Sequence, residues 1–184
     1  MNFCSHCGQA VILKVPLDDT RERHVCESCG VIHYENPRNV VGTIPVWENR
    51  ILLCRRAIQP RRGFWTLPAG FLEIGESTAA GAHRETLEES GANVTVGRLF
   101  SLLNIAYIGQ VHLFYLAEMS SGQFSAGVES LEVTLFEEKD IPWDEIAFPT
   151  VKNTLQWFFE DRKTGRLGQN ESIGPHHIDL EPHF

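Results

Sequence analysis

The sequence predicts an α/β protein: a mixed sheet between helices, preceded by a small cysteine-bearing element. Three observations predict it. Apolar, β-branched runs recur at 40–47, 51–56, 98–107 and 110–119, and such runs read as strands. The stretches 78–90 and 149–163 carry helix signals instead. Helices on both faces would bury both sides of the sheet. The first 34 residues hold two C-x2-C pairs, in a segment too short to build its own core. The chain has 184 residues, enough for one domain or one plus a small appendage. The expected division is 1–36, 37–164 and a C-terminal tail at 165–184.

The first element comes from cysteine spacing. Cys4 and Cys7 form one pair, Cys26 and Cys29 the other, with 18 residues between them. Gly8 and Gly30 follow the second cysteine of each pair. Four thiolates close a tetrahedral shell around Zn²⁺ and leave no position for water, so the expected ion is structural. The pattern resembles a zinc ribbon. Two redox pairs are the competing reading, and they seldom come doubled at this spacing. His6, His24 and His33 lie nearby, but the cysteines already fill the shell. Residues 1–38 carry four basic and five acidic side chains and no basic stripe. The ribbon therefore reads as a packing or dimerisation element, not a nucleic-acid binder.

The whole chain agrees with that charge balance. Its net charge is −8, and an acidic chain is a poor default binder of nucleic acid or anionic membrane. No apolar run reaches the length of a membrane span. The start, MNFCSHCG, lacks a basic flank and an apolar core, so no signal peptide is expected and a cytoplasmic location is the default.

Residues 34–39 (YENPRN) read as a linker broken by Pro37. The runs 40–47 and 51–56 then form a hairpin around Glu48–Arg50, with Cys54 as a small buried hydrophobe. Arg55, Arg56, Arg61 and Arg62 gather positive charge ahead of an acidic stretch. Arg55, Arg56 and Arg62 are candidates to hold a substrate phosphate, since guanidinium grips phosphate in a bidentate way. Ordinary surface arginines are the alternative. Trp65, Leu67 and Phe71 alternate and predict a strand. The runs 98–107 and 110–119 predict two more strands around Ile108-Gly109, and 127–142 another that leads to an acidic turn. The helix at 149–163 has Val151, Leu155, Phe158 and Phe159 on one face, which is a core stripe. The tail has no period and is expected to be mobile or to pack on a neighbour. Its His176, His177 and His183 could bind metal adventitiously.

The chain is organised around residues 70–92, GFLEIGESTAAGAHRETLEESGA. Ser77 or Thr78 can cap a helix over 78–90, and Gly91 sits where a left-handed cap is wanted. Glu76 lies near its N-terminal end, where negative charge is favoured. Glu85, Glu88 and Glu89 stand at i, i+3 and i+4 and so share a face. Arg84 projects about 40° from Glu88 and can orient the row. Ala80, His83 and Leu87 are expected to face protein. Three carboxylates on one face repel one another, which suggests a missing hard cation such as Mg²⁺ or Mn²⁺. A solvated acidic face is the alternative.

The spacing of this stretch weighs against that alternative. Five residues separate Gly70 from Glu76, seven separate Glu76 from Arg84, and Arg84-Glu85, Glu88-Glu89 and Gly91 follow. This resembles the signature of the Nudix hydrolases. Only Thr86 and Ala92 depart from it, at places usually held by larger aliphatics. The resemblance implies the Nudix α/β/α sandwich over about 38–163, with the box as a loop–helix–loop. It also implies divalent ions held by Glu85, Glu88, Glu89 and the carbonyl of Ala69, the residue before the first box glycine. A glutamate in a later loop commonly completes the metal site or acts as base. Glu129 is the preferred candidate, with Glu132 and a box glutamate as rivals. The implied catalytic set is Glu129, Glu88, Glu85 and Arg84; the implied metal set is Glu85, Glu88, Glu89, Glu129 and Ala69.

The implied reaction splits a nucleoside diphosphate linked to another group. A ribbon before a Nudix domain resembles two groups. The NADH pyrophosphatases and NAD-cap-removing enzymes carry a Ser-Gln-Pro-Trp-Pro-Phe-Pro motif after the box, which residues 98–112 lack. The plant plastid-type pyrophosphatases that split FAD and ADP-ribose match more fully, at NPRNVVG (36–42), LLCRRAIQP (52–60), WTLPAGFLEIGES (65–77) and IGQ (108–110). FAD, then ADP-ribose, is the implied substrate. Phe64, Trp65 and Tyr107 are candidates to stack on a ring, and each is equally a core residue. A non-catalytic nucleotide sensor is a further reading, and the complete box argues against it. A homodimer is compatible with the family.

Overall fold

Each cysteine pair closes on its own glycine. In the computed structural model, which describes residues 1–168 and 174–181, the Gly8 N–H donates to the Cys4 carbonyl at 2.9 Å and the Gly30 N–H to the Cys26 carbonyl at 2.8 Å. Both glycines have positive φ, 74° and 75°, which a side chain would resist. These knuckles belong to one of two compact units, Met1–Asn36. Its small antiparallel sheet runs β1 (Ile12–Lys14), β2 (Arg23–Val25), β3 (Ile32–His33).

The other unit is Pro37–Phe184. Its strands are β4 (Arg38–Trp47), β5 (Arg50–Arg56), β6 (Trp65–Thr66), β7 (Ala69–Phe71), β8 (Val94–Ile105), β9 (Gln110–Met119), β10 (Ser130–Phe136) and β11 (His176–Asp179). Its long helices are α1 (Thr78–Ser90) and α2 (Pro149–Lys163). The sheet order is β10-β5-β4-β9-β8-β11, with β6 beside β5 and β7 beside β4. The β4–β9 and β8–β11 pairs are parallel and the others antiparallel, so the sheet is mixed, as the sequence predicts.

Alternation along β4 shows where the helices lie. Thr43 bonds Thr86 of α1 at 2.6 Å, whereas Ile44 joins a cluster with Phe100, Phe114, Leu155 and Phe158, the last two on α2. Adjacent strand residues face opposite sides, so the helices cover opposite faces. A buried hydroxyl pair ties each helix to the sheet: Thr43–Thr86 for α1, and Ser101–Thr154 at 2.9 Å for α2. Thr86 also donates to the Ala82 carbonyl at 2.7 Å. A polar residue is thus tolerated at a fully buried place because its hydroxyl is paired.

Two expectations are corrected. The strand predicted from Trp65 to Phe71 is two short pieces, β6 on β5 and β7 on β4; Pro68 between them lacks the N–H a continuous ladder needs. The tail is not without structure: β11 pairs parallel with β8, His176 opposite Ser101. His176 bonds the buried Asp161 at 2.9 Å and stacks on Trp157 with ring centroids 5.0 Å apart. His177 contacts Asn104 at 3.1 Å, and His183 lies outside the described residues. No helix among the described residues is long and apolar enough to cross a membrane.

Candidate active site

The box helix is fixed at both ends. The Ala80 N–H donates to the Ser77 side chain at 3.2 Å, and Gly91 turns left-handed at φ 60°. Its inward face differs from the expected one. Ala80 is exposed and Leu87 is 46% exposed, while Gly81, Ala82, Thr86, Glu89 and Ser90 are buried. The reason is close approach: a Cβ at Gly81 would stand 2.9 Å from Val41 of β4. Small residues let the helix sit low on the sheet, and this rotation draws Glu89 inward.

Arg84 organises the carboxylates from within. It bonds Glu76 at 2.7 and 3.1 Å, Glu85 at 2.7 Å, Glu88 at 3.1 Å and the Phe71 carbonyl at 3.2 Å. The guanidinium holds the Glu76 carboxyl down to about 2. Gly70 leaves room beside this network, since a Cβ there would displace the Glu85 carboxylate. Glu89 accepts from the Ala69 N–H at 3.3 Å. Burial pushes the Glu89 carboxyl up to about 8; the Ala69 N–H opposes this, and the charges of Glu85 and Glu129 add to it. Burial likewise raises Glu85, against Arg84 and with Glu88 and Glu129.

The other predicted site residues divide. Glu129 is exposed, and its charge adds to the rise of both the Glu85 and Glu89 carboxyls. Glu132 pairs instead with Arg55 at 3.6 Å. Arg55 also donates to the Gly63 carbonyl at 2.8 Å, which ties it into the fold. Arg56 donates to the Pro60 carbonyl at 2.9 Å, and its charge lowers the Glu89 carboxyl. Arg62 is exposed in the same loop. Of the stacking candidates, Trp65 is buried against Phe136, Arg61 lies over Phe64, and Tyr107 is exposed. Sequence reasoning missed a 410 Å³ hollow beside the box loop, lined by Arg38, Phe71, Glu73 and Ile74 among others. Its signal was the aromatic after Gly70; Arg38 stands 5.2 Å over that ring.

The cysteine cluster has the geometry its expected ion needs, and the box carboxylates have the charge. Among the described residues, only the four cysteines bring at least three metal-ligating atoms within 4.8 Å of one another. Cys4–Cys29 sulfurs are 3.7 Å apart and Cys7–Cys26 sulfurs 3.5 Å, near the roughly 3.8 Å edge of a tetrahedron with Zn–S of about 2.3 Å. His33 contacts the Cys4 sulfur at 3.3 Å from outside that set. The box carboxylates are spread more widely around Arg84. Their fit rests on charge: Glu76, Glu85, Glu88, Glu89 and Glu129 outnumber Arg84 and Arg56, and burial opposes ionisation of Glu85 and Glu89. A divalent cation would relieve both.

The NUDIX domain profile matches residues 36–158, most of the chain. The chain belongs to the Nudix family. The family's zinc-ribbon profile, described as Nudix N-terminal, matches residues 2–35. A crystal structure of a NUDIX hydrolase from Nitrosomonas europaea superposes with TM-score 0.90 at 45% identity, over 98% of this chain and 100% of that one. The NAD-capped RNA hydrolase NudC of Photobacterium profundum is 31% identical over 130 residues, 71% of this chain and 47% of that protein. The ADP-ribose pyrophosphatase of Methanocaldococcus jannaschii is 27% identical over 134 residues, 67% of this chain and 76% of that protein. This Nudix chain thus spans about half the length of the NudC relative. Nudix enzymes use a divalent metal, and the four clustered cysteines accord with the zinc ribbon.

A pH dependence follows from Glu89. Between its ordinary value of 4.5 and about 8, the cation-free folded protein keeps a proton that the unfolded chain has released. That contribution to stability is full below 4.5 and is lost as pH rises through about 8. The melting temperature of the cation-free protein is therefore expected to fall across this window. A cation held by Glu89 would displace this proton, so affinity should rise with pH and about one proton should be released per site near pH 6–7. Calorimetry in two buffers of different ionisation enthalpy measures this; buffer-independent heats would contradict it.

Proposed function

We propose that the protein hydrolyses the diphosphate of an ADP unit linked to another group, giving AMP and the phosphorylated remainder. The proposed substrates are ADP-ribose, which gives ribose 5-phosphate, and FAD, which gives FMN. The carrying observation is the half-buried Glu85 and the buried Glu89, whose carboxyls burial raises, beside Ala69 and Glu129. In this reading Glu85, Glu88, Glu89 and the Ala69 carbonyl hold Mg²⁺ or Mn²⁺. The ion would supply neutralisation of the diphosphate and acidification of a water. Glu129 takes the proton as the water oxygen attacks phosphorus. The bridging P–O bond breaks, and its oxygen leaves with the other phosphate. Arg84 keeps the carboxylates in register through the bonds described above. Arg56, braced on the Pro60 carbonyl and over the Phe148 ring, is the candidate arginine whose charge reaches Glu89, and it is the one proposed to meet a phosphate. The hollow at Arg38 and Phe71 offers room for a ring or pentose beside the box.

Two features support Glu129 over Glu132 as base: Glu129 faces the carboxylate cluster electrostatically, and Glu132 is engaged with Arg55. Removal of NAD caps from RNA is the second reading, favoured by the NudC relatives. The chain's acidic charge and the coverage of the archaeal ADP-ribose pyrophosphatase favour the smaller substrates. Product analysis with Mg²⁺ on ADP-ribose, FAD, NADH, NAD⁺ and NAD-capped RNA tests the proposal. AMP from ADP-ribose or FAD is the expected result. Turnover of capped RNA alone would establish the second reading, and tight binding without turnover would leave a nucleotide sensor.

A further inference from the structure

The last carbonyls of a helix have no N–H partner within it. In α1, two of them are taken by the segment that leads to Glu129. The Ser125 N–H donates to the Ser90 carbonyl at 2.8 Å, and the Gly127 N–H to the Glu89 carbonyl at 3.0 Å. Gly127 is seated so tightly that a Cβ there would stand 1.9 Å from the Glu88 carbonyl oxygen. Its φ is not positive, so close approach rather than backbone conformation requires the glycine. Beyond Gly127, the Ser130 N–H returns to the Gly127 carbonyl at 3.1 Å, and the Ala57 N–H donates to the Glu129 carbonyl at 2.8 Å. Glu129 therefore hangs between two anchors, one on the box helix and one at the end of β5.

We propose that Gly127 is a positioning residue for hydrolysis: its bare Cα seats the 125–129 segment on the Glu88–Glu89 turn and so holds the Glu129 carboxylate against those of α1. This rests on the assignment of Glu129 to the catalytic cluster. A side chain at 127 must push the segment away by more than an ångström, since non-bonded heavy atoms sit at about 3.5–4.0 Å. Misplacing a reacting group by about 1 Å costs on the order of 10²-fold in rate. The segment and the helix carboxylates then act as one body, and a cation bound by either steadies both.

A double-mutant cycle tests this. Gly127→Ala, Glu129→Gln and the double variant are compared with wild type for kcat on the best substrate found, for Mn²⁺ affinity by electron paramagnetic resonance, and for melting temperature. Gly127→Ala is expected to lower kcat on the order of 10²-fold while remaining folded. In the Glu129→Gln background it should cost almost nothing more. Independent, multiplying losses would overturn the proposal, because a general structural role would not pass through Glu129. Undiminished kcat in Gly127→Ala would overturn it too. Full activity in Glu129→Gln would instead remove the assignment beneath it, and both would fall. If Gly127→Ala does not fold, hydrogen exchange on wild type decides. Mn²⁺ should slow exchange across 125–130 in wild type and not in Glu129→Gln; exchange unchanged by Mn²⁺ in wild type contradicts the coupling.

Discussion

Glu89→Gln is expected to lower kcat/KM on the order of 10³-fold, about 4 kcal/mol of transition-state stabilisation. The fold should hardly notice. Without a cation, the Glu89 carboxyl is pushed up to about 8 by burial and is therefore neutral at pH 7. A neutral glutamine has the same shape and can still accept from the Ala69 N–H, now 3.3 Å from the carboxylate. What it cannot do is ionise when a divalent ion arrives. Stability and activity are thus separable at this position. In wild type, saturating Mg²⁺ should raise the melting temperature, because a ligand that binds only the folded state stabilises it. In Glu89→Gln the cation-free melting temperature should match wild type at pH 7, and most of the Mg²⁺ shift should vanish. Steady-state kinetics and thermal melts with and without Mg²⁺ check both. Wild-type turnover in Glu89→Gln would place the essential cation elsewhere.

Cys26→Ser should abolish zinc binding and the ordered structure of residues 1–36. The Cys26 sulfur lies 3.5 Å from that of Cys7, and the N–H of Cys29 helps draw its thiol down to about 7, which favours the thiolate that zinc needs. The unit's sheet has only three short strands. So small an element has too little core to fold alone, and structural zinc contributes on the order of 10–16 kcal/mol in comparable peptides. Replacing one of four ligands forfeits most of that. Metal analysis should give one zinc per wild-type chain and none per variant, and amide resonances of residues 1–36 should collapse toward unfolded positions. A folded, zinc-free ribbon would contradict the assignment.

The parts of this molecule legible in the sequence are those whose physics is local. The box helix announces itself through Ser77, Gly91 and the carboxylate spacing, and it runs over the expected residues. The cysteine tetrad follows from doubled short pairs, each turned by a glycine of positive φ. The direction in which α1 faces was not legible. A helical wheel gives relative angles, and contacts distant in sequence, the Thr43–Thr86 bond and the close approach of Gly81 to Val41, show which side is down. The tail strand escaped notice because it is four residues long, and its evidence is distant in sequence: Ser101 in register and Asp161 for the His176 imidazole. Gly127 escaped for the same reason, since nothing nearby in sequence shows that the Glu88 carbonyl touches it.

The most direct test of the central claim is anomalous diffraction from crystals grown with Mn²⁺ at a wavelength near its absorption edge. The account predicts a strong peak ligated by the Glu85 and Glu89 carboxylates and the Ala69 carbonyl, with Arg84 retaining Glu76. A peak only at surface carboxylates away from α1, in crystals of protein that is active with Mn²⁺, would contradict it.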